Sequence, residues 1–321
     1  MVPTPLPPAR LLGRPSLGAV ADRGRPRVPA LTDVEECAQR LAELVGPGGV
    51  AVLSGAGLST DSGIPDYRGP QGSLRRHTPM TYQAFTGQSE DGPSARRRYW
   101  ARSHVGWRVI ARSRPNDGHR AVAALERAGL LRGTITQNVD GLHQAGGGRD
   151  VVELHGSLDR VVCLACRDVS ARERLDDRLR AANPGFAVEP PAGEVNPDGD
   201  VELPETAVER FVVVGCERCG DGPLKPDVVF FGETVPRPRV EESFARVDAA
   251  RALLVLGSSL TVMSGYRFVL RARRAGLPVA VLTAGETRAD ATATLRLDAP
   301  ITPVLVRTLA LLASDRPGAA G

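Results

Sequence analysis

Lysine is almost missing from this 321-residue chain: of its 41 basic residues all but Lys225 are arginine. So uniform a skew marks a GC-rich coding sequence rather than a function. Aromatic side chains are scarce at 4%, which argues against base stacking. Net charge is missing from the body of the chain. Arg10, Arg14, Arg23, Arg25 and Arg27 against Asp22 account for the whole formal charge of +4, so residues 31–321 lack the basic face a nucleic-acid partner requires. No apolar run approaches the roughly 20 residues that span a bilayer, the best being Ala252–Leu256, and no apolar h-region of a secretory signal opens the chain. Neither nucleic acid nor membrane is expected as a partner. Seven prolines before residue 30 prevent the amphipathic helix of a transit peptide. Residues 1–30 are expected to be a disordered Pro/Arg-rich tail or an over-extended start, and residues 314–321 a second tail. Five cysteines without a signal sequence imply a reducing, cytoplasmic compartment.

What is present is enough apolar residue, 42%, for a substantial core. Thr32 and Glu35 have capping-box spacing, and Val34, Cys37, Leu41, Leu44 and Val45 form one stripe of a helix over 33–45, which makes Cys37 a core residue. Short apolar strands are expected at 50–53, 133–136, 151–154, 252–256 and 279–282, with helices at 118–128, 240–250, 264–275 and 301–312. The alternation predicts an α/β fold, a doubly wound, Rossmann-like parallel sheet. Residues 70–115 and 159–222 break it. They read as a helical and a zinc-binding insertion that together make a smaller lobe, leaving 31–69, 116–158 and 223–313 as the large lobe.

The first strand runs into Ser54-Gly55-Ala56-Gly57-Leu58-Ser59-Thr60, a glycine turn able to approach a pyrophosphate. The dinucleotide fingerprint is incomplete: Thr60 replaces its third glycine, and no acid stands in 73–80 to hold an adenosine ribose. A hydride-transferring dehydrogenase is therefore disfavoured. Further strands end in Gln137-Asn138-Val139-Asp140, in His155-Gly156 and in Gly257-Ser258-Ser259, and strand carboxyl ends form the ligand crevice of an open α/β sheet. His155 suits proton abstraction near neutral pH, while His119 and His143 read as capping or packing residues. Cys163-x-x-Cys166 and Cys216-x-x-Cys219 make a Cys₄ structural zinc site with no position left for a catalytic water.

The runs GAGLSTDSGIPDYRG and TQNVDGLH, His155-Gly156, both cysteine pairs, LKPDVVFFGE and GSSL stand in the order found in sirtuins, which the chain resembles over residues 31–313. Tyr67, RYWARSHVGW, PDGDVEL and SGYRF look most like the class II subgroup, which includes the mitochondrial lipoamidase-type sirtuin and bacterial relatives. The resemblance implies an NAD-dependent protein lysine deacylase that releases nicotinamide and O-acyl-ADP-ribose from NAD and acylated-lysine proteins or peptides. A monomer is expected. The competing reading is an NAD or ADP-ribose sensor, or an ADP-ribosyltransferase, with little deacylase activity.

By resemblance, His155 is the general base, with Asn138 and Asp140 ordering the ribose and nearby water and Gln137 bonding the ribose. Ile64 and Asp66 hold the carboxamide, with Pro65, Tyr67 and Arg68 on the same mobile loop. Gly55, Ala56, Gly57, Ser59, Gly257, Ser258 and Ser259 take the diphosphate and adenosine side. Thr283 replaces a usual Asn beside Gly285, and Ile301 stands where a cysteine is common near adenine. Val228, Val229, Phe230, Phe231 and Gly232 look like a strand that pairs with the substrate backbone, with Phe230 or Phe231 near the acyl tunnel. Tyr99 and Arg102 have the spacing of a pair that reads acidic acyl groups; a helix-surface charge is the equal alternative at Arg102. Lys225 alone could be a substrate of the chain's own chemistry.

Overall fold

The computed structural model describes residues 28–68, 72, 78–87, 91–186 and 195–314; the two expected tails fall almost wholly outside them. The expected first tail is shortened at its end, because Ala30–Leu31 forms strand β1. Helix α1 (Val34–Val45) follows, capped by the Asp33 carboxylate, which accepts from Glu36 N at 2.9 Å. The cap falls one residue later than Thr32 because β1 holds the chain extended to Leu31. Cys37 is fully buried, as its place on the apolar stripe requires.

Strands β2 (Val50–Ser54), β3 (Leu131–Thr136), β4 (Val151–Glu153), β8 (Ala252–Leu256), β9 (Val279–Leu282) and β10 (Leu295–Leu297) join β1 in a seven-stranded sheet, ordered β1-β10-β9-β8-β2-β3-β4. Every pairing in it is parallel. From β4 to β10 this is the doubly wound order, whose direction reverses between β2 and β8. Side-chain alternation builds the layers. Val50, Val52, Leu254 and Leu256 face α1, α4 (Asp117–Arg127) and α10 (Ile301–Ser314). Ala51, Leu53, Leu253 and Val255 face α8 (Arg237–Asp248) and α9 (Met263–Arg274). A strand covered on both sides reads as a continuous apolar run, which is why these strands were legible.

The smaller lobe has an antiparallel sheet, β6-β5-β7, of β5 (Gly156–Cys163), β6 (Val169–Ala171) and β7 (Leu224–Val228). The expected lobe boundary at 223 is corrected here, since β7 pairs with β5 rather than with the large sheet. Helices α2 (Tyr82–Thr86) and α3 (Asp91–Arg112) come from the helical insertion, and α6 (Arg172–Ala182) and α7 (Glu205–Arg210) from the cysteine-bearing one. They share one apolar cluster. Trp100 Nε1 donates to Leu224 O at 3.0 Å, which ties α3 to β7. A short helix, α5 (Leu142–Ala145), follows β3.

Candidate active site and metal centre

A crevice of about 930 Å³ opens at the carboxyl ends of β2, β3, β4, β8 and β9, at the point where strand order reverses. Its floor is two glycine turns packed against each other. A Cβ on Gly55 would lie 2.8 Å from Gly257 O, and one on Gly57 would lie 2.9 Å from Gly257 Cα. These glycines are therefore required by turn-to-turn contact within the protein, in addition to the ligand approach expected of them.

His155 lies half-buried in the turn after β4 and lines the crevice. Its Nδ1 is 3.0 Å from Gln137 O, and its Nε2 is 2.9 Å from Ser264 Oγ. A carbonyl only accepts, so the hydrogen of the neutral ring sits on Nδ1 and the lone pair on Nε2. Burial lowers the imidazole to about 4; the Gln137 carbonyl opposes this, and Arg267 and Arg239 add to it. At neutral pH the ring is thus an uncharged base of fixed tautomer.

Gln137 donates from Nε2 to Ser258 Oγ at 2.8 Å, crossing between the β3 and β8 ends. Asn138 donates to Gly55 O at 3.1 Å and to Ser59 Oγ at 3.0 Å. Ser59 Oγ donates in turn to Asp140 Oδ2 at 2.7 Å. Burial raises the Asp140 carboxyl, against bonds from the Leu142 N–H and the Ser59 hydroxyl. Beneath this lies a second network. Ser54 Oγ bonds Thr136 Oγ1 at 2.9 Å and His143 Nε2 at 2.7 Å, while His119 and Asn116 form a reciprocal cap on α4. Both histidines therefore have the capping and packing roles expected of them.

Of the anticipated residues, the crevice gathers Gly55, Ala56, Gly57, Asp66, Tyr67, Arg68, Gln137, Asn138, His155, Gly257, Ser258, Ser259, Thr283 and Gly285, with Val228 to Gly232 on the opposite wall. Ser59, Ile64, Pro65, Asp140 and Ile301 are outside its lining. Ser59 and Asp140 stand behind Asn138. Ile64 is buried in the small-lobe core, and Ile301 packs in the layer between α10 and the large sheet.

Three substrate expectations are corrected. Arg102 is neither a reader of acyl carboxylates nor a surface charge: it is 8% exposed, pairs with Asp200 at 3.1 Å and with Glu202, and donates to Val201 O at 2.6 Å. Tyr99 is buried in a cluster of T-shaped contacts with Phe85, Trp100 and Phe230. The strand expected over 228–232 ends at Val228. Beyond it Val229 N donates to His155 O at 2.8 Å, Phe230 N to Glu233 Oε2 at 2.9 Å, and Tyr82 N to Phe231 O at 2.9 Å. Lys225 organises this turn from below, bonded to Val228 O, paired with Glu233 at 2.9 Å and set 4.5 Å from the centre of the Phe230 ring. At 3% exposure it is closed to modification. Sequence reasoning missed Met80, Val139, Asp198, Leu260 to Ser264 and Arg267 in the lining; only the position of the last two groups after a small-residue strand end could have flagged them.

The sulfurs of Cys163, Cys166, Cys216 and Cys219 lie within 4.8 Å of one another. The pairs Cys163–Cys219 and Cys166–Cys216 are each 3.7 Å apart, close to the ~3.8 Å edge of a tetrahedron of Zn–S bonds near 2.3 Å. A Cβ on Gly222 would stand 2.4 Å from Cys163 Sγ, so a glycine is needed where the backbone passes the cluster. Four thiolates in this arrangement fit one structural zinc.

The model of the Sir2 family matches residues 55–264. The chain is 59% identical over 277 residues to an NAD-dependent protein deacetylase 1 of Streptomyces coelicolor, covering 86% of this chain and 89% of the relative. It is 52% identical over 270 residues to an NAD-dependent protein deacetylase of Xanthomonas campestris, covering 84% and 87%. Among solved structures, a Sir2–p53 peptide–NAD+ complex superposes with a TM-score of 0.68 at 27% identity, covering 86% of this chain and 99% of the other. Among the described residues no helix is long and apolar enough to cross a membrane.

Proposed function

The chain belongs to the Sir2 family, and on that premise we propose how its crevice removes an acyl group from protein lysine. The chain is an NAD-dependent protein deacetylase with NAD as its co-substrate. Bound NAD supplies a ribose carbon made electrophilic by its nicotinamide leaving group. In our reading Gly55, Ala56 and Gly57 hold the diphosphate with Ser258 and Ser259, and Thr283 and Gly285 hold the adenosine side. Gln137 and Asn138 orient the ribose, with Asp140 and Ser59 fixing Asn138 from behind. Asp66 serves the carboxamide, and Ile64 and Pro65 set its loop. Water exclusion falls to Tyr67, Arg68 and Phe231, with the Tyr67 and Phe231 rings 6.3 Å apart at the crevice. His155, neutral and with its lone pair on Nε2, takes the proton of a ribose hydroxyl so that the acyl group can migrate.

The observation that carries this reading is the position of His155, which lines the crevice with its ring locked by Gln137 O at Nδ1. An acylated-lysine peptide would run along Val228 to Gly232, where the inward-turned backbone leaves fewer groups for pairing than a full strand would. Met80, Val139, Phe230 and Phe231 give the acyl chain an apolar wall. With Arg102 committed elsewhere, uncharged acyl groups, acetyl and lipoyl-type, are preferred over glutaryl-type ones. We take a monomer as the active unit. The thiol cluster supports a reducing, cytoplasmic setting. The test is nicotinamide released with each of these acyl-lysine peptides and with none. One nicotinamide per lysine freed is expected, and release independent of peptide would overturn the reading in favour of a sensor or ADP-ribosyltransferase.

A further inference from the structure

The lone pair of His155 does not face open crevice: Ser264 Oγ stands 2.9 Å from Nε2. Ser264 belongs to the first turn of α9, on the other side of the switch point from β4. Two features bring it there. The next residue is Gly265, where a Cβ would lie 2.4 Å from Gln137 Oε1. Ser258, from the loop leading to α9, is bonded to Gln137 Nε2 at 2.8 Å. The α9 N-cap, Val262, makes no side-chain capping bond, so the first-turn hydroxyl is spent on the imidazole instead. Because Nδ1 carries the ring hydrogen, the Ser264 hydroxyl donates to Nε2, and its oxygen, itself part of the crevice lining, keeps acceptor capacity toward the substrate.

We propose that Ser264 relays the proton between the substrate hydroxyl and His155. The substrate O–H bond breaks and its proton bonds to Ser264 Oγ, while the Ser264 O–H bond breaks and that proton bonds to Nε2. Serine ends as it began, a neutral hydroxyl; His155 becomes imidazolium; the electron pair stays on the substrate oxygen, and no further reactant is needed. The contact strengthens as charge develops, since a hydrogen bond to an ionised partner is about twice as strong as a neutral one. The proposal rests on His155 being the general base.

The test separates the two ideas. In single turnover with acetyl-lysine peptide and NAD, Ser264→Ala is expected to slow acyl transfer about tenfold or more, the cost of one charge-assisted bond, while exchange of labelled nicotinamide persists. Ser264→Thr should recover most of the loss. In mixtures of light and heavy water the wild-type transfer rate should bow, as two protons in flight require. A linear dependence, or wild-type transfer in Ser264→Ala, overturns the relay. Full transfer in His155→Ala would instead overturn the base beneath it.

Discussion

In the large sheet, β2, β8 and β9 are buried along their whole length, with Ser54 at the end of β2 the one polar side chain among them. Among the described residues the small sheet has three strands, and its edge strand β6 has two of its three residues exposed. The small lobe compensates with charge and metal ligands. Arg172, 1% exposed, lies 4.6 Å from the Trp107 ring centre and 5.3 Å from that of Trp100. Asp176 gathers His104 at 2.7 Å, Arg180 at 2.8 Å and Arg108 at 3.3 Å. One lobe is held by area removed from water, the other by an apolar cluster reinforced with a cysteine cluster and a buried ionic knot. The active crevice needs both, because His155 lies in the turn after a large-sheet strand while Val228 ends a small-sheet one.

The largest effect should come from the metal. Chelation, or Cys216→Ser, removes a contribution on the order of 10 kcal/mol from the small lobe. Hydrogen exchange should then show β5–β7 and α6 unprotected while β2, β8 and β9 stay protected; uniform loss of protection would break the contrast. Next is Asp176→Ala, which strands Arg172 in the core at a cost of about 3–5 kcal/mol and should open the same lobe in a denaturant titration. Leu254→Ala, at about 2–5 kcal/mol, should lower the unfolding midpoint of the large sheet instead.

A smaller effect follows from acid. Burial holds His119 to about 4 and His143 to about 3, below the ordinary value of about 6.5. The unfolded chain therefore binds protons that the folded one refuses. Stability is fully present above about pH 6.5 and falls as pH drops toward 4, by up to ~1.4 kcal/mol per unit for each histidine. Thermal melts between pH 7 and 5 check the sign. The smallest expected effect is none at all: Lys225, buried under Phe230, should stay unmodified when the folded protein is treated with an acylating reagent and analysed by mass spectrometry.

β2, β8 and β9 were legible because each is covered on two faces, and the cysteine spacing announced its cluster directly. β1 and β10, at two and three residues, are too short to carry a pattern, and buried Arg296 interrupts the second. Crevice residues at strand ends could be placed from order alone. Arg102 could not, since its partners Asp200 and Glu202 arrive from about a hundred residues away. The role of Ser264 was invisible for the same reason: a helix position becomes part of a site only when the fold brings the start of α9 to the turn after β4.

The central claim is that His155 works as a neutral base whose lone pair is on Nε2. The most direct test is the pH dependence of single-turnover acyl transfer, with His155→Ala as the reference. Since burial lowers the imidazole to about 4, wild-type transfer should hold steady from pH 7.5 down to well below 6.5 and be lost in the variant. A wild-type rate that falls by half near pH 6.5 or above, or a variant that keeps the wild-type rate, would contradict it.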